Sequence, residues 1–206
     1  AATNEAEYRN ALEATINESD ALITTFNALL MIARAESGQA RDNMQDFDAS
    51  EIAHDIGELY EPLAEEKGLE LKVDASLAAP VKGNRELVSQ ALANLVDNAI
   101  KYAEPAESSV DGVPAEIMVG AKDGGDRILL TVADHGPGIP EGDRARVVER
   151  FVRLEQSRSK PGSGLGLSLA AAVARLHGGE LILEDNKPGL KCLIALPRGG
   201  PVQSAG

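Results

Sequence analysis

Aromatic side chains are scarce in this 206-residue chain: Phe, Trp and Tyr make up 3%, and there is no Trp. Stacking platforms for single-stranded nucleic acid are therefore few. Basic residues are in deficit as well, with 20 Lys and Arg against 33 Asp and Glu, a formal net charge of −13. A nucleic-acid partner is excluded on that ground, because binding a phosphate backbone requires a positive surface. Cys192 is the only cysteine, so neither an intramolecular disulfide framework nor a thiolate zinc site can be built. A reducing, cytoplasmic compartment is the expectation. No apolar run approaches the ~20 residues needed to span a bilayer, and the opening AATNEAEYRN lacks the basic-then-apolar order of a signal peptide. Any membrane attachment is expected to lie upstream of these residues.

What remains is ample for a folded core: 43% of the residues are hydrophobic and 26% charged. The charge is unevenly spread, since residues 1–70 hold 16 acids and 4 bases while residues 71–206 hold 17 and 16. Two regions with different surroundings are implied. Asn4 and Glu7 have capping-box spacing, and no Pro or Gly follows until Gly38, which predicts one long helix. Along it Leu12, Ile16, Ser19, Ile23, Phe26, Leu30 and Ala33 alternate spacings of four and three, the seam of a helical bundle. Leu22, Leu29 and Ile32 add a second stripe. Such a face needs partners, expected to be another copy or an upstream helix, with packing on the rest of this chain as the plainer alternative.

Beyond Gly38 the texture changes to α/β. Helical patterns near 49–67, 84–103 and 164–178 alternate with strand patterns at 69–73, 116–122, 127–133, 180–185 and 190–196, two pairs of which are joined by short turns and predict antiparallel hairpins.

Three constellations carry chemistry. NLVDNAIKY, residues 94–102, places Asn94, Asn98, Lys101 and Tyr102 on a polar stripe opposite Leu92, Leu95, Val96 and Ile100. Two Asn at i and i+4 cost helix propensity; their amide oxygens suit Mg²⁺ and the ammonium suits phosphate, although a solvated helix face reads equally well. Asp134, His135, Gly136, Pro137, Gly138 and Ile139 follow an apolar strand, where ligand sites tend to form and a carboxylate can accept from an amino group. Gly162, Ser163, Gly164, Leu165, Gly166 and Leu167 open directly into an apolar helix, a start suited to anions. Between the last two, residues 141–160 hold six bases and four acids, which suits a lid over phosphates. A dinucleotide-binding reading of GSGLGL fails, because that fingerprint should follow the first strand of a βαβ unit.

In this order, over about residues 41–200, these motifs resemble the ATP-binding catalytic domain of sensor histidine kinases, within the Bergerat-fold ATPases. NLVDNAIKY is similar to its asparagine box, DHGPGIP to its first glycine box, RFVR with Phe151 to its phenylalanine box and GSGLGL to its second glycine box. The resemblance implies an α+β fold: a two-layer α/β sandwich of Bergerat type, its mixed sheet covered by helices on one face and preceded by a long bundle helix. Residues 1–40 would be the second helix of a dimerisation and phosphotransfer hairpin whose first helix is absent, 41–200 the ATP-binding domain and 201–206 a frayed tail.

The same resemblance implies ATP and Mg²⁺ as cofactors, with Asn98 and Asn94 at the metal, Lys101 at phosphate and Tyr102 against the nucleotide. Asp134 would read the adenine amino group; Gly136, Gly138 and Ile139 would shape the base pocket. Gly162, Gly164 and Gly166 would shape the phosphate lid, Ser163, Leu165, Leu167 and Phe151 would belong to the nucleotide site, and Arg153 and Arg158 would approach the γ-phosphate. Asn94 stands where related hydrolases carry a water-activating Glu, so phosphoryl transfer to a histidine is implied. None of His54, His135 and His177 matches the acceptor pattern; His54, in HDIGE, comes nearest but lacks the Arg and Thr-Pro. The implied partners are a phosphoacceptor helix or second protomer and a response-regulator receiver domain, with self-association through the first helix. The chain alone is expected to bind ATP without phosphorylating itself. A protein-serine kinase of the anti-sigma type and a non-catalytic ATP-sensing or dimerisation module are the alternatives.

Overall fold

The computed structural model describes residues 2–37, 43–103, 115–154 and 162–200. Five helices and seven strands follow one another among them: α1 (Ala2–Ser37), β1 (Gln45–Asp48), α2 (Ala49–Glu66), β2 (Leu69–Asp74), β3 (Pro80–Gly83), α3 (Arg85–Tyr102), β4 (Ala115–Asp123), β5 (Arg127–Ala133), α4 (Glu141–Val147), α5 (Gly166–Leu176), β6 (Glu180–Asp185) and β7 (Leu190–Pro197). The main sheet has the order β2-β4-β5-β7-β6. Only β2 and β4 run parallel, the other neighbours being antiparallel, so the fold is α+β with a mixed sheet, as the resemblance implies.

Alternation puts Ile117, Val119 and Ala121 of β4, Ile128, Leu130 and Val132 of β5, and Cys192, Ile194 and Leu196 of β7 in the buried core, because successive strand residues point to opposite faces. Helices α2, α3 and α5 pack on this sheet. A second, two-stranded sheet of β1 and β3 is absent from the sequence reading. Its strands are four residues each, QDFD and PVKG, too short and too polar to show a period. Helix α4 is a further addition, seven residues long.

Two side chains start the helices that matter most. Asp48 accepts from the Ser50 amide at 2.9 Å and from the Ala79 amide at 2.8 Å, capping α2 and tying it to the segment before β3. Asn84 accepts from the Leu87 amide at 3.1 Å and caps α3. The Asn84 amide in turn donates to His177 Nε2 at 2.9 Å, while His177 Nδ1 donates to the Val173 carbonyl at 2.7 Å. One ring nitrogen accepts and the other donates, which is the neutral imidazole. His177 is fully buried, and it locks the end of α5 to the start of α3. His54, by contrast, is an exposed residue whose Nε2 donates to the Ala75 carbonyl at 3.2 Å, a tie between α2 and the loop after β2.

Helix α1 begins at Ala2, ahead of the Asn4 start read from the sequence, and ends at Ser37. Gly38, the proposed stop, the tail 201–206 and the side chains of Asn4 and Glu7 lie outside the described residues. The apolar residues of α1 divide along its length, Leu22 of the second stripe being 67% exposed. Ala28, Ile32 and Ala35 are buried, Ile32 to 1% exposure, against α5, and Leu29 and Met31 pack beside them. Leu12, Ile16, Ile23, Phe26 and Leu30 of the bundle seam stay exposed, Leu12 at 64%. The expectation of an outside partner therefore suits the seam, while the last turns take the plainer course of packing on this chain. The reason lies in α5: Leu169, Ala170, Ala171, Ala172, Val173 and Ala174 are all buried, and a helix apolar around its whole circumference requires cover on every side. The Arg150 guanidinium also pairs with Glu36 of α1.

Two outcomes follow. Ile32→Ala should cost about 2–4 kcal/mol in denaturant unfolding, whereas Leu12→Ala should change it by less than about 0.5 kcal/mol. Burial lowers the pKa of His177 below its ordinary 6.5, so the unfolded chain binds the proton more readily. Its contribution to stability is complete above pH 6.5 and is lost as the pH falls below that value toward the folded pKa. Urea titrations between about pH 7.5 and about pH 5 should show that loss, and His177→Asn should remove that part of the slope.

Candidate functional site

A cavity of about 480 Å³ opens between α3, the end of β5, β7 and the start of α5, within the range of small-molecule sites. Its inner end is built around Asp134, the residue that follows β5 and is 7% exposed. The Asp134 carboxylate accepts from the Gly136 amide at 2.8 Å and the Leu190 amide at 3.3 Å. Its own amide donates to the Leu190 carbonyl at 2.9 Å, and its carbonyl accepts from Asn186 Nδ2 at 2.8 Å. The loop after β5 is thus sewn to the β6–β7 hairpin. Burial raises the pKa of Asp134, opposed by the amides of Gly136 and Leu190. Val132, Leu95, Ile139, Leu190 and Cys192 supply apolar walls around it. Burial, and then the negative charge of Asp134, push the Cys192 thiol far up, so this cysteine is an inert wall and no nucleophile.

The outer end is polar. Helix α3 turns Asn94, Asp97, Asn98 and Lys101 into the cavity, because its other face, with Leu92, Leu95, Val96 and Ile100, is buried in the core. Asn94 Nδ2 donates to the Gln90 carbonyl at 2.8 Å, leaving the amide oxygen as its acceptor for the cavity. Lys101 Nζ lies over the Tyr102 ring, 5.3 Å from its centroid, and against Gly162. Arg153 Nη1 donates to the Gly162 carbonyl at 2.9 Å, so two cations converge on the glycine run. The first turn of α5 has no side-chain cap, and its amides are open to an anion. A Cβ at Gly166 would stand 2.7 Å from Asn98 Nδ2, so a larger residue there would displace that side chain.

Most residues singled out by sequence come together in this cavity: Asn94, Asn98, Lys101, Tyr102, Asp134, Gly138, Ile139, Arg153, Gly162, Ser163, Gly164, Gly166 and Leu167 all line it. Three do not. Phe151 is 59% exposed and outside the cavity walls, with a backbone φ of 63° that is uncommon for a bulky residue. Leu165 is buried in the core, and Gly136 takes part through its amide on Asp134. Arg158 lies outside the described residues. The sequence reading missed Thr24, Asp97, Leu190 and Cys192 among the walls. Asp97 sits inside the recognised asparagine box and was within reach; the others are brought in by strand pairing and helix docking.

The hairpin that carries Leu190 leaves no room at Gly189, whose φ is 115° and whose position sets a Cβ against the Asp134 carbonyl. Gly189→Ala should therefore destabilise the chain by more than about 1 kcal/mol in denaturant titration and should loosen the Asp134 loop, read as faster amide exchange at Gly136.

The family described as histidine kinase-, DNA gyrase B- and HSP90-like ATPase matches residues 83–199, more than half of the chain. Among curated proteins, the sensor protein IrlS of Burkholderia pseudomallei is 31% identical over 175 residues, 84% of this chain and 36% of that protein. The signal transduction histidine-protein kinase/phosphatase MprB of a Mycobacterium species is 38% identical over 137 residues, 61% of this chain and 24% of that protein. The chain thus spans about a third or less of these relatives. Among solved structures, the mycobacterial sensor histidine kinase MprB has a TM-score of 0.62 at 29% identity and covers 77% of this chain and 98% of its own. Full-length ShkA, solved in complex with AMPPNP, has a TM-score of 0.70 at 24% identity over 96% of this chain and 41% of its own, a likeness of fold. Among the described residues no helix is long and apolar enough to cross a membrane. With the family match spanning α3, the Asp134 loop and the glycine run that opens α5, this chain belongs to the histidine kinase-, DNA gyrase B- and HSP90-like ATPases.

Proposed function

We propose that this chain binds Mg·ATP in the α3–α5 cavity and passes the γ-phosphoryl group to a histidine presented by a separate helix. The observation that carries this reading is one cavity with two unlike ends, a buried carboxylate among apolar walls and a cluster of cations and open helix amides. An aminopurine fits the first, its amino group donating to Asp134, and a polyphosphate fits the second. Asn98 and Asn94 would hold the metal through neutral amide oxygens, a donor set that fits a hard cation completing its shell with phosphate and water. When bound, Mg²⁺ supplies charge neutralisation at the phosphates.

The rest is positioning by this chain's own groups. Lys101 and Arg153 neutralise phosphate oxygens beside Gly162, and the first amides of α5 receive an anionic oxygen. Asn94 cannot take a proton from water, so no general base for hydrolysis stands at that position. A neutral imidazole nitrogen would attack the γ-phosphorus, a P–N bond forming as the bond to the β-bridging oxygen breaks and ADP leaves. No histidine of this chain matches the acceptor pattern, so the imidazole comes from another helix, one that would pack on the exposed Leu12–Leu30 seam of α1 or belong to a second protomer. A response-regulator receiver domain would then draw the phosphoryl group from that histidine, and the site would face the cytoplasm.

Calorimetric titration of a non-hydrolysable ATP analogue should show affinity that rises with Mg²⁺. In Asp134→Asn the amide oxygen keeps both backbone donors, but a side-chain N–H replaces the acceptor that faces the purine, so affinity should fall by about tenfold to a hundredfold. Because burial holds the folded pKa of Asp134 above its unfolded value of 3.8, its ionised form costs stability at neutral pH. The thermal midpoint of Asp134→Asn should thus equal or exceed that of the unsubstituted chain. Folded protein with no nucleotide affinity under any Mg²⁺ concentration would defeat the proposal.

A further inference from the structure

Nothing in the sequence marks α1 as part of the cavity, yet Thr24 of α1 is one of its walls. Thr24, Ala28, Ile32 and Ala35 are spaced by four, four and three residues and so share one helix face. The last three are the buried residues that dock α1. The docking stripe therefore changes from aliphatic to hydroxyl at the place where it leaves the apolar core and reaches the cavity.

The end of the cavity that Thr24 meets follows from what α1 touches. Helix α1 packs on α5, whose amino terminus, with Gly166 and Leu167, is the open-amide wall. The purine end is made by Val132, Asp134, Leu190 and Cys192, from the sheet and its loops. Because α5 is the cavity wall on which α1 packs, and its lining residues Gly166 and Leu167 lie at the anion end, Thr24 is grouped with that end. Its hydroxyl donates at present to the Asp20 carbonyl at 2.8 Å, an exposed back-bond within the helix. That bond is readily exchanged, since water can replace the hydroxyl on an exposed carbonyl.

Resting on the Mg·ATP reading, we infer that Thr24 is a nucleotide-contacting residue that donates its hydroxyl to the terminal phosphate, so that α1 distinguishes a nucleoside triphosphate from a diphosphate. The hydroxyl meets an oxygen that ADP lacks, and the difference in affinity is carried by a helix outside the ATP-binding layers. By linkage, the triphosphate then holds the last turns of α1 in place more firmly than the diphosphate does.

The test is titration of AMPPNP and of ADP, each with Mg²⁺, into the whole chain and into Thr24→Val and Thr24→Ser. Thr24→Val keeps the shape and removes the donor at an exposed helix position, so folding is retained. It should weaken AMPPNP by about tenfold and leave ADP within about twofold, while Thr24→Ser should keep the AMPPNP/ADP ratio of the unsubstituted chain. Native binding of both nucleotides with an unchanged ratio in Thr24→Val would overturn this inference alone. Failure of the unsubstituted chain to bind either nucleotide would overturn the Mg·ATP reading and this inference with it.

Discussion

The burial of α5 on all its sides is the constraint on which the rest of the structure depends. Six consecutive residues from Leu169 to Ala174 are buried, so the sheet, α3 and the last turns of α1 must all be present around them. Each of those neighbours is positioned by that demand. The amino end of α5 is where the glycine run approaches Asn98, and its carboxyl end is where His177 holds the first turn of α3. One helix therefore sets both the separation of its own first amides from the Asn residues and the register of the helix that carries them.

Asp134 shows the opposite economy. It is a carboxylate held in an apolar surrounding, with burial raising its pKa, and its ionised form lowers the stability of the fold at neutral pH. Two backbone amides and a hairpin stitched to the same residue keep it in place. Such an arrangement has no structural motive, since an amide would satisfy the same donors. An ionisable group held at that cost inside a cavity marks this end as the most informative part of the candidate site.

Much of this was legible in the residues themselves. The polar stripe of α3 and the strand ending at Asp134 follow from local periodicity and position, and the structure brings Asn94, Asn98, Lys101, Tyr102 and Asp134 into one cavity. Phe151 was not, because an exposed ring at a positive φ is a property of backbone geometry that a motif does not encode. Leu165 was assigned to the nucleotide site with its glycine box, yet it is buried in the core. The strands β1 and β3 were missed because four residues with one or two apolar side chains are too few to show a period; their pairing is stabilised by Asp48 and the backbone of Ala79, which are distant in sequence.

The amino-acid sequence by itself determined the longer helices, the five strands of the main sheet and the residue types at both ends of the cavity, because periodicity of apolar side chains and capping chemistry act over a few residues; the α+β class came from the resemblance of its motifs to a known family. Tertiary structure alone decided that Cys192 and Leu190 of β7 stand beside Asp134, that Thr24 joins the cavity wall, and that α1 divides into a docked end and an exposed seam. Those outcomes depend on contacts between residues dozens of positions apart, where close packing and the requirement to cover α5 select one arrangement.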